Sequence, residues 1–448
     1  MITQKPTWIP LLVLLGLAIC ALFSPIPGAA VTEGINSGDT AWMLVASGLV
    51  LLMTPGLAYF YGGMVNHKNV ISTMLQSFIA MGVISVLWVL FGFSLAFGDS
   101  IGGFIGNPTT FLLFNNVFDH TLTLGSTDQL KFTIPFALFA FFQMKFAVIT
   151  PALISGALAE RINFRAFVLF MVMFCIAVYA PLAHWTWHPD GFLFKLGVLD
   201  FAGGTVVHMS AGWAALAGAL YLKRRKSHIE ASVLPPANIP YVLLGTALLW
   251  FGWFGFNAGS ACGAGQLAVS AFAVTHIAGA SGGLAWVLFD VTRGKKVSAL
   301  GFCIGAVVGL VAITPASGFV TVPVSIFIGS VAAIISNMVA HWRAGSKLDD
   351  TLDVFACHGV GGMVGMLLTG VFASTAVNSA VVEQGLWFGE TTLFLKHLFA
   401  LAFVSAFAFA LSYALLFVTD KIIPLRVNEE EERLGLDVSQ HDEALAPL

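Results

Sequence analysis

Charge is what this chain lacks. Only 10% of its 448 residues are Asp, Glu, Lys or Arg, and 58% are hydrophobic. An ordinary soluble domain carries roughly 25% charged residues, so the composition excludes a soluble protein and reads as polytopic membrane. Cysteine is sparse too. Cys20, Cys175, Cys262, Cys303 and Cys357 lie singly in apolar stretches with no CxxC pair, which argues against a disulfide framework and a metal knuckle. Cys357 adjoins His358 but reads as a small buried hydrophobe. The sequence shows no nucleophile triad, phosphate loop or metal cluster. Catalysis, a cofactor and a nucleic-acid partner are therefore not expected, although a net charge of −3 by itself says little about partners.

What is present is apolar sequence in membrane-length runs. A helix crossing ~30 Å of hydrocarbon needs about 20 such residues. Eleven runs qualify, near 40–62, 71–98, 130–157, 164–186, 202–222, 237–258, 266–290, 297–314, 317–341, 354–374 and 392–419. Before them, Lys5, the apolar run Ile9 to Phe23 and the small residues Gly28, Ala29 and Ala30 have the pattern of a cleaved signal peptide over residues 1–30. The alternative is a retained extra helix. Ile19 is too bulky for a lipobox ending at Cys20.

Basic residues set the orientation. One side would carry Lys68, Arg161, Arg165, Lys223 to Lys226, Arg293, Lys295, Lys296, Arg343, Lys347 and the tail's Lys421, Arg426 and Arg433. The other would carry only Lys131, Lys195 and Lys396. This puts the mature N-terminus outside, together with the long loop 99–129. The charged tail, 420–448, is then cytoplasmic.

Two histidines stand inside uncharged spans. A titratable group in hydrocarbon is costly and usually marks a pathway. At i+3, i+4 and i+7 from His208 are Ala211, Gly212 and Ala215; from His358 they are Gly361, Gly362 and Gly365. Small residues on one face let two helices cross closely. The expected result is two imidazoles meeting in a narrow slot. His208 falls in the fifth span and His358 in the tenth, each shortly after an acid, Asp200 or Asp353. Five spans is an odd number. The expected fold is all-α, with eleven transmembrane helices: an inverted 5+5 repeat, about 39–222 and 237–374, plus an extra helix at 392–419. The membrane domain would cover 31–419.

Asp200 to Gly212 (DFAGGTVVHMSAG) resembles the signature of the ammonium transporter family, Amt/Mep/Rh, and its bacterial Amt branch in particular. Four further stretches match in order: Asp39 to Met43 leading to Thr54 to Ala58, Gly156 to Arg161, Trp253 to Ser260 (WFGFNAGS), and His358 to Gly362 (HGVGG). The resemblance implies a homotrimer in the cytoplasmic membrane, each protomer with its own pore for ammonium or ammonia. It maps the twin pore histidines onto His208 and His358. The outer recruitment site maps onto Phe146, Trp187 and Ser260, and the gating phenylalanines onto Phe146 and Phe256. Phe142, one turn before Phe146, is expected to share its face and to block hydrated ions with it. The tail, with Gly435, Leu436 and Asp437 and then His441, Asp442 and Glu443, partly matches a regulatory segment that meets a PII-type signalling protein; otherwise it is a solvated tail.

The chemistry agrees with that resemblance. Carrying an ammonium ion whole through hydrocarbon would cost on the order of 20 kcal/mol. The spans hold too few acids to coordinate a cation throughout, so the proton must come off. A neutral imidazole offers ammonia one donor and one acceptor, and two in contact can share a proton. Asp200 and Asp353 read as helix-capping, orienting carboxylates rather than direct cation ligands. His184, His188 and His397, near the outer boundary, read as satisfied core histidines. Lys145, directly before Phe146, departs from the family pattern, where a small or apolar residue is expected; the helical step turns it off the Phe146 face, towards a protomer contact. Two other readings remain open. One is an ammonium sensor with little flux, which would normally carry a signalling domain. The other is a redox protein with haem-ligating histidines, which one histidine per helix disfavours.

Overall fold

A computed structural model describes residues 8–24, 28–29, 32–126, 130–230 and 235–445. The chain is helical. In order the main helices are α1 (Ile9–Ala21), α2 (Ser37–Met64), α3 (His67–Phe97), α4 (Phe136–Leu158), α5 (Phe164–Leu196, with a turn after Trp187), α6 (Gly204–Leu222) and α7 (Ile239–Gly259). Then come α8 (Gln266–Thr292), α9 (Ala299–Ile313), α10 (Val322–Ala344), α11 (Phe355–Phe372) and α12 (Thr392–Ile422). The tail adds α13 (Glu429–Leu434) and α14 (Leu436–His441).

Ten of these, α2 to α8 and α10 to α12, are long and apolar enough to cross a membrane. α9 stands where the eighth span is expected but has only 15 residues. None of the residues of α1 is buried. Of the expected signal, Lys5 and Ala30 lie outside the described residues.

Local chemistry fixes the helix starts. Asn36, Asn163, Asn238 and Ser298 each accept a backbone N–H at the start of α2, α5, α7 and α9. Such caps satisfy amides that the helix itself leaves free. The span expected from residue 130 begins only at Phe136. Leu130–Lys131 instead pairs with Thr123–Leu124 as a short antiparallel hairpin in the loop before α4.

The helices of the two pore histidines begin as wide turns. Gly204–Met209 and Phe355–Val360 are π-helical. Such bulges shift the register of everything after them. The small-residue face therefore holds only in part. A Cβ on Gly212 would overlap the backbone of Gly359, and one on Gly362 would press on His208 and Met209. Gly361 and Gly365 turn away from α6 and pack on Val311 and Ala312 of α9. The expected crossing is there, built from Gly212, Gly359 and Gly362.

The tail is docked rather than solvated. The Asp437 carboxylate accepts the amides of Ile71 (3.1 Å) and Ser72 (2.8 Å) at the start of α3. Glu432 accepts from the Lys226 amide (2.6 Å) and the Arg426 guanidinium (2.7 Å). The Lys68 ammonium donates to the Glu432 and Arg433 carbonyls.

Candidate functional site

Trp187, Phe146, Phe256, His208 and His358 form a column of five side chains through the bundle. At the end expected to face outward, Phe146, Trp187, Ser260, Gln143, Thr186 and Asp200 help line a cavity of about 230 Å³, the outer cavity. The Phe146 and Trp187 rings are 5.8 Å apart and nearly perpendicular, at 83°. Two aromatic faces and open volume suit a cation. The Ser260 hydroxyl donates to the Phe256 carbonyl (2.9 Å), which leaves its lone pairs for another donor. Trp187 Nε1 donates to the Asp200 carbonyl (3.0 Å), so the indole is pinned.

The Asp200 carboxylate is fully engaged at the start of α6. It accepts from the amides of Gly203 (2.8 Å), Gly204 (2.7 Å) and Thr205 (2.7 Å) and from the Thr205 hydroxyl. That geometry is the capping role expected of it. Gly203 makes it reachable with φ +121°, a conformation glycine tolerates best.

Asp353 does not mirror Asp200. Its carboxylate pairs with Arg343 (2.7 Å), and Asp350 caps α11 through the amides of Val354 and Phe355. The reason lies in the backbone: Asp353 sits at φ +57°, directly before the helix. The acid that reaches back over the first turn is three residues earlier. An Asp349–Asp350 doublet was the signal for it.

Below the outer cavity, Phe146 and Phe256 stack with centroids 4.2 Å apart, both buried. Phe142 lies 5.0 Å from Phe146 but lines neither the outer nor the inner cavity; its ring packs behind, against Gly259. The residues of α4 that face the outer cavity with Phe146 are Phe139 and Gln143, at i−7 and i−3.

Past Phe256 (5.9 Å) comes the His208 ring, stacked on Trp253 at 5.4 Å. Trp253 is fixed by its Nε1 bond to Thr314 (2.9 Å). Sequence reasoning assigned Trp253 no role, although it lies in a quoted motif. His358 follows, its Nδ1 3.3 Å from His208 Nδ1 and the two rings 24° from parallel. Only one of two facing nitrogens can carry the proton between them. His208 Nε2 finds no partner among the described residues. The cavities beside the pair hold about 10 Å³ each and are walled by Met53, Leu57, Leu249, Phe60 and Val307. That is about the space one water molecule needs. The arrangement can pass a small neutral hydride in single file and offers a hydrated ion nothing.

The other histidines behave as expected. His184 bonds Ser100 and the Ala96 carbonyl, His188 accepts from the Asp190 amide, and His397 lies between the Met366 carbonyl and the Leu199 amide. Lys145 is off the cavity, its ammonium 5.6 Å above the Phe141 ring.

The inner mouth is braced by charge. Arg225 pairs with Glu160 (2.6 Å) and Asp349 (2.8 Å), and Arg161 donates to the Asp349 carbonyl (2.6 Å) and the Thr351 hydroxyl (2.7 Å). Burial opposes charge on Asp349, but the Arg225 hydrogen bonds and the charges of Arg161 and Arg225 hold its carboxyl well below the usual range.

The sequence model of the Ammonium Transporter Family matches residues 41–445. An ammonium transporter of Bacillus subtilis is 46% identical over 416 residues, covering 91% of this chain and 98% of that one. The crystal structure of Candida albicans Mep2 superposes with a TM-score of 0.83 at 35% identity, over 89% of this chain and 88% of that one. A sensor Amt protein superposes at 0.81 with 30% identity, over 90% and 98%. With that family match and the five-residue column, this multi-pass membrane protein belongs to the Ammonium Transporter Family, whose members are transporters rather than enzymes.

Proposed function

We propose that the chain transports ammonium across the cytoplasmic membrane by separating the ion from its proton. Ammonium settles between Phe146 and Trp187, with Ser260 accepting one N–H. Cation–π attraction is worth ~0.5–2 kcal/mol per ring, and more as water leaves. The Phe146–Phe256 pair then opens by side-chain motion. Ammonia, without the proton, moves past His208 and His358, which hand it from acceptor to donor. The proton follows separately or returns outside.

The observation that carries this reading is the 3.3 Å contact between His208 and His358, set in apolar walls beneath an aromatic cavity. The apolar segment cannot solvate a cation, whereas two neutral imidazoles can solvate ammonia. The site residues are Phe146, Trp187 and Ser260 for recruitment, Phe256 for gating, and the two histidines for conduction. Asp200 orients the outer mouth through Trp187.

Three further parts of the reading go with it. Residues 1–30 are a signal that is removed, which the unburied α1 supports. The mature N-terminus is outside and the docked tail cytoplasmic, where a PII-type protein would meet it. Three copies assemble in the bilayer, each with its own pore.

The test is uptake into proteoliposomes, with current recorded alongside. Ammonium and methylammonium should enter and potassium should not. Ligand binding without flux would favour the sensor reading, and equal potassium currents would defeat the deprotonation step.

A further inference from the structure

The outer cavity holds donors that the transport reading does not use. Cys262, in the turn between α7 and α8, lines it together with Ser260. Thr186 and Gln143 line it too. Both are more than nine-tenths buried, at 3% and 8% exposure. The Thr186 hydroxyl and the Gln143 carbonyl oxygen have no hydrogen-bond partner among the described residues. A buried polar atom without a partner is costly, so these two oxygens are set for a guest.

We infer that the outer cavity is a binding site for a soft monovalent cation, silver(I) or copper(I), held by the Cys262 sulfur and blocking transport. The inference rests on the cation-recruiting reading of the same cavity. Aromatic faces draw in any small monovalent cation. A thiol then sorts soft from hard, because soft metals prefer sulfur and ammonium or potassium do not. Binding is a proton exchange: the S–H bond breaks, a metal–sulfur bond forms, and the proton leaves to the water of the cavity. No electron moves. Thr186 and Gln143 line the same cavity and offer their unpaired oxygens to the ion or its water, and the Phe146–Phe256 pair below stops the ion from passing on.

Burial pushes the Cys262 thiol up to about 12. The resting group is therefore protonated, and reagents that need a thiolate should react slowly. A metal that displaces the proton does not share that limit. The other cysteines sit elsewhere: Cys175 and Cys303 are buried in helices, Cys20 is on α1, and Cys357 borders the inner cavity beside His358.

The experiment uses the full chain in proteoliposomes and methylammonium uptake in chloride-free buffer with silver nitrate. Each variant is compared with its own silver-free rate. Silver should block the wild type, and dithiothreitol should restore it. Cys262→Ser should raise the half-blocking concentration on the order of 100-fold, as expected for loss of the one soft ligand. Silver beside the indole of Trp187 should quench tryptophan fluorescence in the wild type and much less in Cys262→Ser. A wild type that transports but ignores silver overturns the inference and leaves the transport reading intact. A protein that does not transport without silver defeats the transport reading instead. If Cys262→Ser stays sensitive while Cys357→Ala becomes resistant, the ion acts at the inner mouth and the proposed site is wrong.

Discussion

Asp200 holds Trp187 by its carbonyl and the start of α6 by its carboxylate. One residue thus sets both the indole of the outer site and the turn that leads to His208. Asp200→Asn keeps the shape but offers one acceptor oxygen where two now take four donors. A buried amide left unpaired costs about 1–3 kcal/mol. The expected outcome is a lower melting temperature in detergent and a weaker half-saturation for methylammonium. Unchanged values in both would show that the carboxylate is dispensable.

The histidine pair gives a sharper test. His208→Ala removes the middle polar partner of the file and should abolish selective methylammonium uptake. The variant should still fold and insert, since it loses a membrane-buried polar group. Wild-type uptake without a potassium leak would refute the pore assignment.

Gly212 tests the crossing itself. Its missing side chain is what lets Gly359 come against α6. Even Ala would overlap backbone, which cannot shift as a flexible side chain can. Gly212→Val should prevent a stable fold, seen as loss of the monodisperse peak in size-exclusion chromatography, while Gly48→Ala, with open space around it, should be neutral.

Much of this site could be read in the sequence because its residues lie in short motifs whose spacing survives folding. That Phe146 would lie near Trp187, His208 near His358 and Asp200 at the start of α6 was legible for that reason. Phe142 was not, because the stripe of α4 that faces the cavity runs through i−3 and i−7 from Phe146, and i−4 falls to one side of it, against Gly259. Asp353 was misplaced because a positive-φ residue interrupts the helix start. Gly361 and Gly365 were assigned to the wrong neighbour because a π-helical turn cannot be told from an α-helical one by composition. The docking of the tail depends on Asp437 meeting the start of α3, more than 360 residues away in sequence, which no local pattern encodes.

The inner brace carries a pH dependence. Asp349 titrates below the usual carboxylate range because Arg225 and Arg161 surround it. A depressed carboxyl stabilises the fold above its unfolded value, about 3.9, and loses that contribution as pH falls through the folded value. The protein should therefore keep its inner mouth intact through mildly acidic conditions. Asp349→Asn leaves Arg225 half-paired in a buried place and should cost about 3–5 kcal/mol at neutral pH. Its melting temperature should also approach that of the wild type in strong acid. A gap that stayed constant from pH 7 down to about pH 2 would count against the electrostatic account.

Lys145 stands where a small or apolar residue is expected, and its placement makes a prediction. The ammonium lies over Phe141, one turn towards the outer end of α4, and not in the cavity beside Phe146. None of the ion pairs among the described residues involves it. A helix directs its side chains back towards its N-terminus, which carries the ammonium over the Phe141 ring and to 3.7 Å from the Met144 sulfur. Lys145 does not line the cavity, so it should hardly repel ammonium at Trp187. Lys145→Met should change the half-saturation for methylammonium by less than about twofold. If the surface it occupies is a contact between protomers, the same change should alter the melting of the proposed trimer. A much tighter half-saturation with unchanged melting would mean that the charge reaches the recruitment site after all.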